Sequence, residues 1–230
     1  MPGNQFATTG IVLTRTTYQE ADRIVTFLTP DGKVRAIAKG VRKPKSKLAG
    51  GVELFSVSDL TFITGKSELN TLISARLKRH FGNIVKDLER TNWAYEVLKI
   101  LNRLTEETAG PEFLALLTDT LAALDDLKLA LPLVKLWFDM QLLRSLGNEP
   151  NLTTDKTGAK LQPGHNYGFD IDTMAFYERE NGDFTADHIK LLRLSLSNRP
   201  EVLGQVKGAQ ALLPATLKLV TNIRHNVLSI

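Results

Sequence analysis

Two periods divide this chain. Up to about residue 77 the apolar positions alternate or bunch into β-branched runs, and from Asn83 onward they recur at three- and four-residue steps. "TGIVLTR" and "DRIVTFLT" read as strands, and "TPDGK" at 29–33 is a turn leading into a third, "KVRAIAKG", so the second and third runs form a hairpin. "VELFSVSDLTFIT" and "LNTLISARL", separated by "GKSE", bring the count to five. Five short strands joined by tight turns suggest a small barrel, of which the OB-fold is the common five-stranded version and an SH3-like barrel the main competitor.

In the second part, Leu88, Trp93, Val97, Ile100, Leu101 and Leu104 mark the stripe of a first amphipathic helix. A second begins at Pro111, a residue suited to the first helical position, and a third, "LPLVKLWFDMQLLRSLG", ends at the C-cap glycine Gly147. These three are expected to form one bundle. Periodicity fails between Asn148 and Asp183, where Gly, Pro, Asn and Asp punctuate short apolar pieces; an extended subdomain with a two-stranded ribbon is expected there. Helices resume with "TADHIKLLRLSLSN", capped by Thr185, then "PEVLGQV" and a last long segment that Pro214 is expected to kink or interrupt. The reading is α+β and multi-domain: an N-terminal five-stranded OB-fold barrel over 1–80, a helical domain over 81–147 and 184–230, and a small irregular or β insertion over 148–183.

At 230 residues and 43% hydrophobic composition the chain can bury a substantial core. The absence of cysteine excludes disulfides, thiolate nucleophiles and Cys-ligated metal sites. "MPGNQFATTG" has no basic-then-apolar leader pattern and no segment approaches a membrane span, so a soluble, cytoplasmic, membrane-free protein is expected. The net charge of +4 is unevenly spread, with 13 Lys and Arg against 6 Asp and Glu in residues 1–80 and a net −3 over the remainder. That asymmetry points to a polyanion-binding module joined to a part with another task.

Most candidate chemistry fails on context. "GKS" at Gly65–Ser67 follows a strand, but a phosphate-binding P-loop needs a glycine at position 60, which is Leu, and a following helix. His80, His165, His188 and His225 are scattered without metal-ligand spacing, and Asp170 and Asp172 lack a third carboxylate nearby. No nucleophile elbow or dinucleotide fingerprint is present, so no catalytic residue, metal or cofactor is assigned.

The basic barrel survives. In "KVRAIAK" alternation sends Val34, Ala36 and Ala38 inward and Lys33, Arg35, Ile37 and Lys39 outward. That strand runs into Arg42, Lys43, Lys45 and Lys47, a loop whose glycines give it room to change shape, while Arg15 leaves the first strand. These eight cations are the candidate nucleic-acid contacts. With few aromatics beside them, binding is expected to follow the phosphates rather than the bases.

Three stretches then become recognisable: "GIVLTRTTYQEADRIVTFLTPDGKVRAIAKGVRKPKSKLAGG", "ELFSVSDLTFITGKSELNTLISARL", and "LLRSLGNEPNLTTDKTGAKL" followed by "YGFD". Their order resembles the RecO family of bacterial recombination mediators. The resemblance implies an OB-fold, a helical domain and a zinc-finger-like insertion, in a nucleoid-associated protein that binds single- and double-stranded DNA and anneals strands without ATP. It implies work with RecR and often RecF, help in loading RecA onto DNA coated with single-stranded-DNA-binding protein (SSB), and capture of the SSB C-terminal tail on the helical domain. By their place in "LVKLWFDMQLLRSLG", Lys135 and Met140 are expected near that last site. One departure is plain: where zinc-bearing relatives place their first two cysteines, this chain has Thr154 and Thr157, so the insertion is expected to hold by packing through Tyr167, Phe169 and Phe176. Two other function classes stay open on sequence: an OB-fold protein binding RNA or the ribosome, and a small-molecule enzyme with its site between barrel and helices.

Overall fold

A computed structural model describes residues 4–65, 69–105 and 109–228. Lys66 and Ser67 of the "GKS" turn lie outside the described residues. The chain separates into two compact units, Met1–Leu127 and Lys128–Ile230.

The first unit is built on a closed barrel of β1 (Gln5–Tyr18), β2 (Asp22–Thr29), β3 (Gly32–Ala38), β4 (Ser56–Ile63) and β5 (Asn70–His80), in the order β1-β2-β3-β5-β4. β1 closes it by serving two neighbours, pairing with β4 along Gln5–Ile11 and with β2 along Ile11–Tyr18. A register shift between Val12 and Thr14 bends it from one partner to the other. β3 and β5 meet in parallel at Ala36–Asn70 and Ile37–Thr71. This is the expected OB-like arrangement. Val12, Val25, Phe27, Ala36, Ala38, Leu60, Phe62 and Leu72 fill the interior, the alternate positions of β-branched and aromatic runs.

Two helices complete this unit, α1 (Leu88–Leu104) and α2 (Pro111–Asp125), the latter starting at Pro111 as expected. The Asp87 carboxylate caps α1 by accepting from the Arg90 N–H at 3.0 Å. The Arg90 side chain is buried and donates to the carbonyls of Leu124 and Asp126, satisfying the end of α2 and placing a cation at its negative pole. Leu88, assigned to the buried stripe by its spacing, opens the helix and is 75% exposed.

The second unit holds α3 (Leu131–Ser145), β6 (Asn151–Asp155), β7 (Asn166–Asp170), β8 (Ala175–Glu178), β9 (Phe184–Thr185), α4 (Ala186–Ser197), α5 (Pro200–Leu203) and α6 (Ala209–Leu228). The first three helices, expected to form one bundle, are divided between the two units. α1 and α2 belong to the barrel's unit, and α3, apolar on nearly every side, is packed by α4, α5 and α6. α6 runs through Pro214 without a break, because that residue lies in the second turn and forgoes one ladder bond there. The expected ribbon is a four-stranded sheet, β6-β8-β7-β9, whose β6–β8 pair is parallel and joins residues far apart in sequence. Phe176 is fully buried at its centre, with ring contacts to Phe169 at 5.0 Å, Phe184 at 5.6 Å and Tyr167 at 6.4 Å. Thr185 and His188 form a capping box at the start of α4. Among the described residues no helix is long and apolar enough to cross a membrane.

Candidate nucleic-acid interface

The basic loop is anchored at both ends. Val41 is buried in the barrel core and Leu48 packs against the same cluster, so the segment between them is pushed outward with four cations in six residues. Its first half is tied to the β1–β2 turn: the Gly40 N–H donates to the Asp22 carboxylate at 2.7 Å, the Arg42 N–H to the Ala21 carbonyl at 3.0 Å, and the Arg42 guanidinium to the Glu20 carbonyl at 3.1 Å. Gly40 takes φ +63°, which lets the strand leave the barrel at that tie. Turns then follow one another, with Lys43 N–H to Gly40 O at 3.1 Å and Ser46 N–H to Lys43 O at 3.0 Å. A chain of turns held this way presents its side chains outward.

The eight predicted cations divide into two groups. Arg35, Lys39, Lys43, Lys45 and Lys47 are exposed, and among the described residues no hydrogen bond or ion pair of their side chains is found. Arg15, Lys33 and Arg42 work within the chain. Arg15 pairs with Glu53 at 2.6 Å, and the Lys33 ammonium donates to the Asn102 carbonyl at 2.9 Å, in the last turn of α1. The alternation of β3 is as read from sequence, with Ala36 and Ala38 fully buried and Arg35 and Lys39 facing solvent. Aromatic surface beside this face is sparse: Tyr18 is 41% exposed, and Phe6 leans on Phe62 with ring centroids 5.2 Å apart.

A further set was passed over in the sequence. Arg76, Lys78 and Arg79 on β5 are all exposed, which adds three cations to the barrel surface. The signal was present in "SARLKRH", but two register shifts in the β4–β5 ladder break the alternation that identified β3.

Other residues weighed for chemistry have local roles. His80 bonds Ser56 at 2.8 Å, His165 pairs with Glu178 at 2.9 Å, and His225 meets Arg224 at 3.3 Å. Burial lowers the His188 pKa against the opposing pull of Asp187. The Asp170 carboxylate accepts from the N–H groups of Asp172 and Thr173, closing the β7–β8 turn. A cleft of about 500 Å³ in the second unit is lined by Glu149, Leu152, Met174 and Arg193, whose guanidinium is committed to the Leu152 carbonyl. Among the described residues no group of three or more His, Cys, Asp or Glu is placed to hold a metal ion.

Residues 1–81 match the family described as Recombination protein O N terminal. The chain is 36% identical over 151 residues to the DNA repair protein RecO of Dehalococcoides mccartyi, covering 65% of this chain and 59% of that one. It is 37% identical over 148 residues to the DNA repair protein RecO of a Roseiflexus species, covering 64% and 52%, and 37% identical over 154 residues to that of Moorella thermoacetica, covering 66% and 56%. The chain is thus similar to DNA repair proteins named RecO over about 65% of its length, and its first 81 residues match that family's N-terminal model. It spans little more than half the length of these curated relatives.

Within the RecO framework two further positions are now placed. Met140 is fully buried among the helices around α3 and offers no surface to a partner, while Lys135 is half-buried one turn before Asp139. In the insertion, Thr154 and Thr157 supply no thiolate, and the turn is closed instead by Asp155, whose carboxylate accepts from the N–H groups of Thr157 and Ala159 and from the Thr157 hydroxyl. These bonds, that of the Thr157 hydroxyl first, hold the Asp155 pKa below the usual carboxylate value. A RecO-type zinc centre does not fit these residues.

Proposed function

We propose that this chain acts in DNA repair and homologous recombination as a mediator of the RecFOR pathway, binding single- and double-stranded DNA and annealing complementary strands without ATP. The observation that carries this reading is the exposed basic run Arg35, Lys39, Lys43, Lys45 and Lys47 on the outside of an OB-like barrel in a chain similar to RecO proteins. Phosphates neutralised along that run repel a second strand less, and base edges left uncontacted remain free to pair. The protein acts by holding strands rather than by making or breaking covalent bonds. It assists loading of RecA onto SSB-coated DNA in the bacterial cytoplasm, at the nucleoid, together with RecR and RecF. The acidic SSB tail docks on the second unit near Lys135, with Met140 supporting that helix from within.

Annealing of complementary strands coated with full-length SSB, or with SSB lacking its acidic tail, tests this reading. Stimulation confined to full-length SSB is the expected result. Equal stimulation of both removes tail docking, and stimulation of neither removes the mediator role. Competition between RNA and DNA oligomers of equal length adds a second arm, since preference for RNA would assign the barrel to a 2′-hydroxyl reader instead.

A further inference from the structure

β5 continues well past its neighbour β3. It is paired with β4 along Thr71–His80 but with β3 at Asn70 and Thr71 alone. Beyond that point the 3-10 turn Ala49–Val52 meets it, so closely that a Cβ placed on Gly51 would lie 2.6 Å from the Ala75 carbonyl carbon. The basic loop therefore returns to the barrel directly against β5, and Lys47 is four residues before the point of contact. Register shifts opposite Val57/Ser58 and Thr61/Phe62 leave extra residues on β5, and Ser74 and all of Arg76–His80 are exposed.

The exposed strand is cationic, with Asp59 as a local counter-charge among the described residues. Asp59, opposite Arg76 in the register, is 3.3 Å from the Lys78 ammonium and accepts from the Thr9 hydroxyl at 2.8 Å. The Arg79 guanidinium lies over the Phe81 ring, 4.6 Å from its centroid, a stacking that orients its N–H edge. Ile73 and Leu77, 42% and 45% exposed, add apolar surface between the cations.

We infer that the exposed face of β5 is a second phosphate track, through Arg76, Lys78 and Arg79, over which the nucleic acid held by β3 and its loop continues. This rests on the nucleic-acid reading above. Continuity favours a nucleic-acid strand over an acidic peptide: the Asn70 side chain donates to the Arg35 carbonyl at 3.3 Å, so the last exposed cation of β3 before the seam adjoins the start of β5. Guanidinium groups match phosphate oxygens two at a time.

The test is fluorescence anisotropy of a labelled oligothymidylate titrated against salt, using the full chain, a loop variant (Lys43, Lys45 and Lys47 each→Gln) and a β5 variant (Arg76, Lys78 and Arg79 each→Gln). The β5 variant is expected to bind several-fold more weakly at low salt, its log–log salt slope reduced by about 2 for three phosphates at about 0.7 each. A charge-keeping variant, Arg76→Lys with Arg79→Lys, is expected to retain the slope. A β5 variant with unchanged affinity and slope, beside a weakened loop variant, overturns the track while leaving the loop's role intact. Salt-insensitive binding by the unaltered chain removes the nucleic-acid reading itself, and the track with it. Loss of oligoglutamate binding with oligothymidylate binding unchanged overturns the proposal in favour of a protein-docking face. If circular dichroism shows that the triple variant is unfolded, Arg76→Gln alone decides, with an expected slope loss of about 0.7.

Discussion

Asp139 of α3 and Arg224 of α6 form an ion pair in the second unit, with Oδ1 and Nε 2.9 Å apart and both side chains buried. Burial pushes the Asp139 pKa up to about 6, against the opposing influence of Arg224, the Thr221 hydroxyl and Lys135. The folded carboxyl thus holds its proton to higher pH than the unfolded one, and the associated stability is present below about pH 4 and lost as pH rises through about 6. Between pH 8 and pH 5 the contribution of this group to stability should rise by about 1 kcal/mol, part of a full gain of about 3 kcal/mol that is reached only below about pH 4. Thermal melts of the protein and of Asp139→Asn across that range measure it. The difference between their slopes should vanish if the carboxyl is not the titrating group.

Lys33 and Lys45 should respond in opposite ways to replacement. Lys33→Ala removes the ammonium from the Asn102 carbonyl, costing about 1.5 kcal/mol of stability with little change in DNA affinity. Lys45→Ala should leave the melting temperature nearly unchanged and lower the salt slope for single strands by about 0.7. Denaturant melts and salt titrations of both variants separate the two roles.

Phe176→Ala should open a cavity at the centre of the insertion sheet, where the ring is fully buried, at a cost of about 3–5 kcal/mol. Limited proteolysis should show the insertion cleaved first. The unaltered protein should melt at the same temperature with and without EDTA, because the Asp155 turn and the ring cluster use no metal.

Gly51→Ala should destabilise the barrel by about 1–3 kcal/mol, since the added Cβ would lie 2.5 Å from that of Ala75. Forcing this contact apart also shifts the end of the basic loop. DNA affinity measured on the folded fraction should therefore fall although no charge has been removed.

Much of this was legible because local chemistry and tertiary placement agree. Pro30–Asp31 sets the β2–β3 hairpin, Thr185 begins α4, and Gly147 at φ +70° ends α3, each dictated by residues close to it in sequence. The face of β3 was legible for the same reason, as its two-residue period is unbroken. What escaped depends on distant neighbours. The parallel pairing of β6 with β8 joins Asn151 to Ala175, and β9 is two residues long, so neither gives a periodic signal. Met140 is hidden because α3 is surrounded by other helices, and a helix buried on nearly all sides has no polar stripe to announce which residues reach solvent. Lys33 matches its exposed neighbours in the alternation, and only the arrival of α1 shows that it is already engaged.

The parallel contact between β3 and β5 spans Ala36–Asn70 and Ile37–Thr71, the shortest pairing in a barrel otherwise joined by long antiparallel ladders. That seam is where the cylinder should unzip first, and amide protons beside it should exchange sooner than those of the β1–β2 or β4–β5 ladders. A polyanion spanning the seam from Arg35 to Arg76 would act as a clasp. Slower deuterium uptake at Asn70 and Thr71 on adding oligonucleotide, with little change in the β1–β2 ladder, would record it closing.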